Sequence, residues 1–298
     1  MRNPFKFFLS TLCLLSIFLF HTSYAADTTQ DIISNAAQLA ADAKDPYAAS
    51  LPMMIYAELG DLPHYQTTKD HMLQLLNGLD TSTNSAWKWM QNNSFKAWMW
   101  GRILLAAQSI HDDQQMGTAR TQLTDLLKQP ATAADNAAFT TWAWGYLAAL
   151  DKKEYQLSKK QMMDGAQALA DKYQASGKPA DLSDALWGWV MNIQAAARAH
   201  DRATYEKIKA KITGNESVEI ALVKGLSHTA ESNDYPAWAL AKVRLAAATI
   251  GDQTLFLALK VPMEVSIAEA KAIATNGAKA EYAFAVLDNK LAEANGKK

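Results

Sequence analysis

The chain has 298 residues, with 29 lysines and arginines against 30 aspartates and glutamates. No basic stripe stands out along the sequence, which argues against nucleic acid as a partner. The one cysteine, Cys13, lies near the N-terminus, so the rest of the chain can form no disulfide, thiolate zinc site or cysteine nucleophile.

Residues 1–25 have the organisation of a secretory signal. Two basic residues, Arg2 and Lys6, precede an apolar run of 14 residues at positions 7–20, and the small residue Ala25 ends the segment. A run of this length is too short to span a membrane comfortably, so we expect cleavage rather than a retained anchor. We therefore predict an exported bacterial protein, periplasmic or secreted, without stable membrane insertion after cleavage.

Residues 26–298 are predicted to form a single helical-repeat domain. Apolar residues recur at intervals of three and four, and β-branched runs are short, which indicates an all-α fold. Glycine, proline and acidic residues mark the helix ends, and Asp181 is interpreted as one N-cap. The predicted helices span residues 31–44, 47–59, 63–77, 82–91, 94–110, 116–129, 134–150, 153–175, 182–199, 202–212, 216–229, 236–250, 253–259, 263–275 and 279–294.

Two sequence markers repeat along these helices. Acidic residues at successive turns are spaced by 51, 39, 50 and 51 residues, and four tryptophans are spaced by 44, 45 and 49. Periods of this size predict helical hairpins stacked in an array, with repeats of about 40–50 residues. These acidic residues are Asp61, Asp112, Asp151, Asp201 and Asp252. We interpret the last four as helix N-caps rather than catalytic carboxylates.

Over roughly residues 47–259 the chain resembles the tetratricopeptide-type α-solenoids in its architecture. The likeness rests on small-residue helices, glycine-acidic turns such as Gly60-Asp61, and an aromatic residue that opens the second helix, such as Tyr155. The period exceeds the 34 residues of that family, and the small residue at a fixed place in its first helix is missing. The resemblance implies a right-handed stack of hairpins that binds peptides or protein surfaces. A closed α/α toroid is the alternative arrangement.

Eight of the nine tryptophans occur in Trp-x-Trp pairs, which present one indole on each side of a helix. Either these indoles pack in the core between hairpins, or one indole of each pair faces a partner or ligand. Gly101, Gly145 and Gly188, each beside a pair, favour core packing because glycine permits close helix approach. The candidate partner-facing aromatics are Trp98, Trp100, Trp142, Trp144, Trp187, Trp189 and Trp238.

These features favour a non-catalytic binding or assembly scaffold for a protein or peptide partner. Two alternatives stay open: a carbohydrate-binding or carbohydrate-active toroid with tryptophan platforms, and a secreted effector that acts on a host partner. No catalytic residue, cofactor site or metal site is predicted. His64 and His71 are seven residues apart, whereas metal ligands on a helix are typically three or four apart.

Overall fold

The computed structural model describes residues 28–213 and 235–296, except for the side chains of residues 133 and 134. The predicted signal and the predicted helix over residues 216–229 lie outside the described residues. Within them the chain is helical and contains no strand, which confirms the all-α fold class. None of the described helices combines the length and the apolar character needed to cross a membrane.

The helices are numbered in chain order. They are α1 (28–42), α2 (Pro46–Leu59), α3 (Leu62–Gly78), α4 (Asn93–Ser109), α5 (Asp113–Leu127), α6 (Pro130–Asp135), α7 (Ala137–Ala148), α8 (Lys152–Ser176), α9 (Pro179–Arg198), α10 (Arg202–Thr213), α11 (Pro236–Ile250), α12 (Gln253–Ala258), α13 (Lys260–Ala272) and α14 (Asn276–Gly296). Two 3₁₀ segments, Leu79–Thr81 and Ser85–Met90, lie between α3 and α4.

The helices form an inner and an outer layer. In chain order α2, α4, α7, α9, α11 and α14 each contact the next one, and the helices between them pack on the outside. The inner helix α9 is buried at every residue from Ala185 to Ala197, whereas the buried residues of the outer helix α8 recur at intervals of three and four. An inner helix is therefore covered on all sides, and an outer helix on one face.

The stack of hairpins closes on itself. The last inner helix, α14, contacts the first, α2. Near this junction α1 contacts α13 and the start of α14. Lys271 Nζ lies 2.7 Å from Asp31 Oδ2, and Lys279 Nζ donates to Gln38 Oε1 at 2.7 Å. The predicted stack of helical hairpins is thus confirmed, and its closure is the arrangement of the toroid alternative rather than of an open solenoid.

All five acidic turn residues are helix N-caps, which confirms the prediction for Asp112, Asp151, Asp201 and Asp252 and adds Asp61. Each carboxylate accepts a hydrogen bond from the backbone N–H three residues later, at 2.8–3.3 Å. His111 and His200 precede two of these caps with positive φ of 58° and 55°, where the equivalent turns have Gly60 and Gly251. Four of the five repeated turns therefore place a left-handed residue before the cap, a conformation that glycine adopts without strain.

Three of these caps also bind the preceding outer helix. Tyr205 Oη and Lys209 Nζ donate to Asp252 Oδ2 at 3.0 and 2.6 Å. The same Tyr-x-x-x-Lys pattern contacts the next cap in two other hairpins. We name these groups the clamps, and they are Tyr65–Lys69–Asp112, Tyr155–Lys159–Asp201 and Tyr205–Lys209–Asp252.

The clamps shift the ionisation of their members. Burial alone would raise the pKa of Asp201, but hydrogen bonds from Lys159, the Thr204 N–H and Tyr155 outweigh it and hold that pKa well below its usual range. Burial, followed by the Asp252 carboxylate, raises the pKa of Tyr205. Each clamp is therefore a pairing of a neutral tyrosine, a lysine and an ionised aspartate.

Three local predictions need correction. Asp181 is not an N-cap, because Pro179 starts α9 one turn earlier; Asp181 instead accepts a hydrogen bond from Ser176 Oγ at 2.5 Å. The predicted helix 134–150 is divided at Asn136, whose side chain caps α7. The predicted helix 82–91 is a 3₁₀ segment, since it is too short to gain stability from helical propagation.

Candidate functional site

A cavity of about 270 Å³ lies among the inner helices, is partly open to solvent, and is lined almost wholly by aromatic side chains. We name it the aromatic cavity. Five of the six inner helices contribute to it directly, and one residue comes from the 3₁₀ segment before α4. The residues that line it are Tyr47, Trp89, Trp98, Arg102, Phe139, Trp142, Tyr146, Trp187, Met191, Tyr235 and Trp238.

In the three Trp-x-Trp pairs that lie on inner helices, the first indole reaches this cavity. Trp98, Trp142 and Trp187 line it, and the unpaired Trp238 joins them. The second members of these pairs lie about 200° around the helix and do not line the cavity. Trp189 among them is buried, at 4% exposure, and the other two are partly buried against the core. They are Trp100, Trp144 and Trp189.

The indoles thus form neither a simple core nor an open ladder. Trp98, Trp187 and Trp238 are 3–9% exposed, yet each borders an empty space rather than a filled one. The sequence could not distinguish this arrangement, because helical phase alone does not say which of two indoles points to the centre of a ring. Trp89, which also lines the cavity, is 49% exposed.

The glycine after two of the pairs sets the spacing of the inner helices. A Cβ atom on Gly101 would lie 2.8 Å from the Tyr146 ring, and one on Gly145 would lie 2.9 Å from Met191 Cβ. Tyr146 and Met191 both line the cavity. The predicted close approach is therefore confirmed, and these glycines bring two wall residues into position.

Two groups of aromatic rings form opposite parts of the wall. On one side Trp98 stacks on Phe139 at 4.9 Å between ring centroids, and on the other Trp238 stacks on Phe284 at 4.3 Å. The Tyr47 and Tyr235 hydroxyls are hydrogen-bonded at 2.6 Å and bridge the two sides. Tyr235 adopts a positive φ of 50°, a strained conformation for a residue other than glycine.

Arg102 is the cation in the wall. Its side chain is buried, with the residue 2% exposed, and the guanidinium lies over the rings of Tyr47 and Trp98 at 4.8 and 4.4 Å. Nη1 donates to Ser50 Oγ at 2.6 Å, and Nε has no acceptor. Among the described residues no carboxylate lies within 4 Å of this guanidinium.

Arg102 is held in the wall by contacts other than an ion pair within the described residues. A desolvated cation–π contact is worth about 2 kcal/mol. The effective penalty for burying an ion is several kcal/mol, and the charge-assisted hydrogen bond to Ser50 offsets about 1.5–3 kcal/mol of it. Sequence reasoning did not identify Arg102, although one signal was present: it is the only charged residue between Ala97 and Ala107.

A second donor in the wall lacks an acceptor. The indole Nε1 of Trp142 is buried and forms no hydrogen bond within the described part of the chain. Buried indole N–H groups usually find a partner, so this one is an exception. Two residues that line the cavity thus carry a buried donor without an acceptor in the described part of the chain, the other donor being Arg102 Nε.

Beyond Trp238 lies a group of charged side chains. Trp238 Nε1 donates to Asp288 Oδ2 at 2.8 Å, and Lys242 Nζ lies 3.3 Å from the same oxygen. Glu58 belongs to this group, and burial, followed by the charge of Asp288, raises the pKa of its carboxyl to about 8. These residues are supports of the wall, because none of the three charged side chains lines the cavity.

The described residues include no group of three or more histidine, aspartate, glutamate or cysteine side chains that could hold a metal ion. His64 Nδ1 lies 2.8 Å from Asp61 Oδ2, and His71 Nε2 lies 3.2 Å from the Ala43 carbonyl oxygen, so the two histidines contact different partners. Comparison of the chain with protein-family models, with curated proteins and with solved structures finds no match.

Proposed function

We propose that the protein binds a small, flat, largely apolar organic molecule in the aromatic cavity. The observation that carries this proposal is the convergence of four indoles, from α4, α7, α9 and α11, on one cavity. Ligand cavities are typically apolar, with few polar groups, and span roughly 300–1,000 Å³. The volume of about 270 Å³ is just below that range, which supports a small ligand.

The closure of the ring favours a small molecule over a peptide. Peptide-binding solenoids use an extended concave surface, and the contact of α14 with α2 removes the open ends of such a surface. The scaffold for a protein or peptide partner, expected from the sequence, is therefore the less favoured proposal. Export to the periplasm or the exterior remains part of the proposal and rests on residues 1–25.

Carbohydrate is the second candidate, because indoles stack on the apolar faces of sugar rings. A sugar, however, carries a hydroxyl on most of its carbons. Each buried hydroxyl left without a partner costs about 1–3 kcal/mol. The Tyr47 and Tyr235 hydroxyls already bind each other, and the other polar groups of the wall are few. A flat apolar ligand needs fewer hydrogen bonds and fits this wall better.

Calorimetric titration of the folded protein tests the proposal, with indole, glucose and a tryptophan-containing tripeptide as probes. We expect indole to bind, and Trp142→Ala to weaken its binding at least about fivefold, since stacking on an aromatic ring contributes about 1–3 kcal/mol. Trp144→Ala is the matched control, because it removes an indole of the same pair that does not line the cavity.

Tighter binding of glucose than of indole would favour the carbohydrate candidate, and binding of the tripeptide alone would favour the peptide scaffold. Binding of none of the three probes, or equal effects of the two tryptophan substitutions, would contradict a ligand site in the aromatic cavity.

A further inference from the structure

We propose that the ligand of the aromatic cavity is a carboxylate, and that Arg102 binds its carboxylate group. The inference rests on the proposed function and adds the charge of the ligand to it. Arg102 lines the cavity, is 2% exposed, and retains donors beyond the one that Ser50 accepts. A carboxylate matches the planar fork of a guanidinium with two parallel hydrogen bonds.

The other buried cations among the described residues are paired with carboxylates of the protein itself. Four lysines and arginines are buried in the described residues, and three of them have a carboxylate partner within 4 Å. Lys69 pairs with Asp112, Lys242 with Asp288, and Arg244 with Glu293. Arg102 alone among the four borders a cavity and lacks such a partner. A bound carboxylate would complete the same pairing.

The charge of the wall also decides against a cationic ligand. Aromatic cages bind quaternary ammonium groups through the ring faces. Here Arg102 already lies over the faces of Tyr47 and Trp98 and would repel a second cation in the same space. Among the described residues no carboxylate lines the cavity to offset that repulsion. The buried indole N–H of Trp142, another lining residue, also lacks an acceptor there.

The test compares two probes that differ in charge but hardly in shape, indole-3-acetate and indole-3-acetamide. We expect the wild-type protein to bind the acetate at least tenfold more tightly than the acetamide in calorimetric titration, as for a hydrogen bond to a charged group. Arg102→Gln should abolish this preference, and Arg102→Lys should keep part of it. Arg202→Gln, which removes an exposed guanidinium on α10, is the control and should leave the preference unchanged.

The wild-type comparison decides the inference even if an Arg102 variant fails to fold. Equal binding of the two probes, or tighter binding of the acetamide, would overturn the carboxylate assignment and leave the proposed function intact. Failure of indole, the acetate and the acetamide to bind would overturn both. A preference for the acetate that survives in folded Arg102→Gln would contradict the role given to Arg102.

Discussion

The clamps of the outer layer and the aromatic cavity of the inner layer are built from the same kinds of group. In a clamp, Tyr205 and Lys209 share the carboxylate of Asp252. In the cavity, Tyr47 and Arg102 lie in contact, and the described residues supply no carboxylate to the cation. The clamp is electrostatically complete, whereas the cavity is not. Buried cations elsewhere in the described chain are paired with carboxylates. A buried cation that lacks this partner and borders a cavity therefore marks a candidate ligand site.

The hairpin after Asp112 lacks a clamp, yet its cation still has a carboxylate partner. After Asp112 the Tyr and Lys positions hold Met116 and Arg120, and Arg120 binds Glu154 instead of the cap Asp151. Even the irregular repeat therefore gives its cation a carboxylate. Arg102 remains the buried exception within the described residues.

The largest effect is expected from breaking a clamp. Asp252→Ala removes the cap of α12 and leaves Tyr205 and Lys209 without their shared acceptor. We expect the free energy of unfolding to fall by about 3–5 kcal/mol, as when one partner of a buried ion pair is removed. Asp151→Ala, which removes a cap without a clamp, should lower it by about 1 kcal/mol. Urea denaturation measures both, and equal losses would contradict the role of the clamp.

The clamps should also make the protein sensitive to acid. The pKa of Asp201 is lowered in the folded state, so its contribution is present above the unfolded value of about 3.9 and is lost as pH falls through the folded value. We expect wild type to lose roughly 1–3 kcal/mol more than Asp201→Asn between pH 6 and pH 2.5. Urea midpoints at each pH measure this loss, and parallel curves for the two proteins would argue against it.

Glu58 has the opposite sign of pH dependence. Its folded pKa, about 8, is above the unfolded value of about 4.3, so the neutral carboxyl stabilises the fold fully below about pH 4.3 and less as pH rises through 8. Glu58→Gln should unfold like wild type at pH 4. The pKa difference corresponds to at most about 5 kcal/mol, and because Glu58 is only half-buried we expect solvent screening to reduce the gain in stability at pH 9 to about 1–2 kcal/mol. Thermal unfolding across this range is the measurement. A gap that does not grow with pH would show that Glu58 is ionised throughout.

The smallest change in stability is expected from replacing Arg102, the buried cation of the cavity. Because Arg102 lacks a carboxylate partner, Arg102→Met should leave the free energy of unfolding unchanged or raise it by about 1 kcal/mol. Lys209→Met, in a clamp, should lower it by about 1–2 kcal/mol. Chemical denaturation of both variants without added ligand provides the test. A larger loss for Arg102→Met than for Lys209→Met would mean that Arg102 serves the fold rather than a ligand.

Much of the local structure was predictable because it depends on neighbours in the chain. The caps Asp61 to Asp252, the left-handed turns and the helix start at Pro236 follow from side chains within three or four residues. The errors were local too: Asn136 divides a predicted helix because its side chain caps α7 in competition with continued helix. The clamps were only half visible, since the aromatic and acidic residues stood out but the lysine four residues after each tyrosine did not.

The amino-acid pattern specified the all-α hairpins, their period and the two opposed indoles on each of α4, α7 and α9, because helical phase is a local property. Tertiary packing was needed to show that α14 meets α2, which indole of each pair points inward, and that Arg102 is buried with no carboxylate partner among the described residues. Ring closure joins residues more than 200 positions apart, such as Lys271 and Asp31. Contacts of that separation depend on the sum of many small rotations between hairpins, which no local pattern specifies.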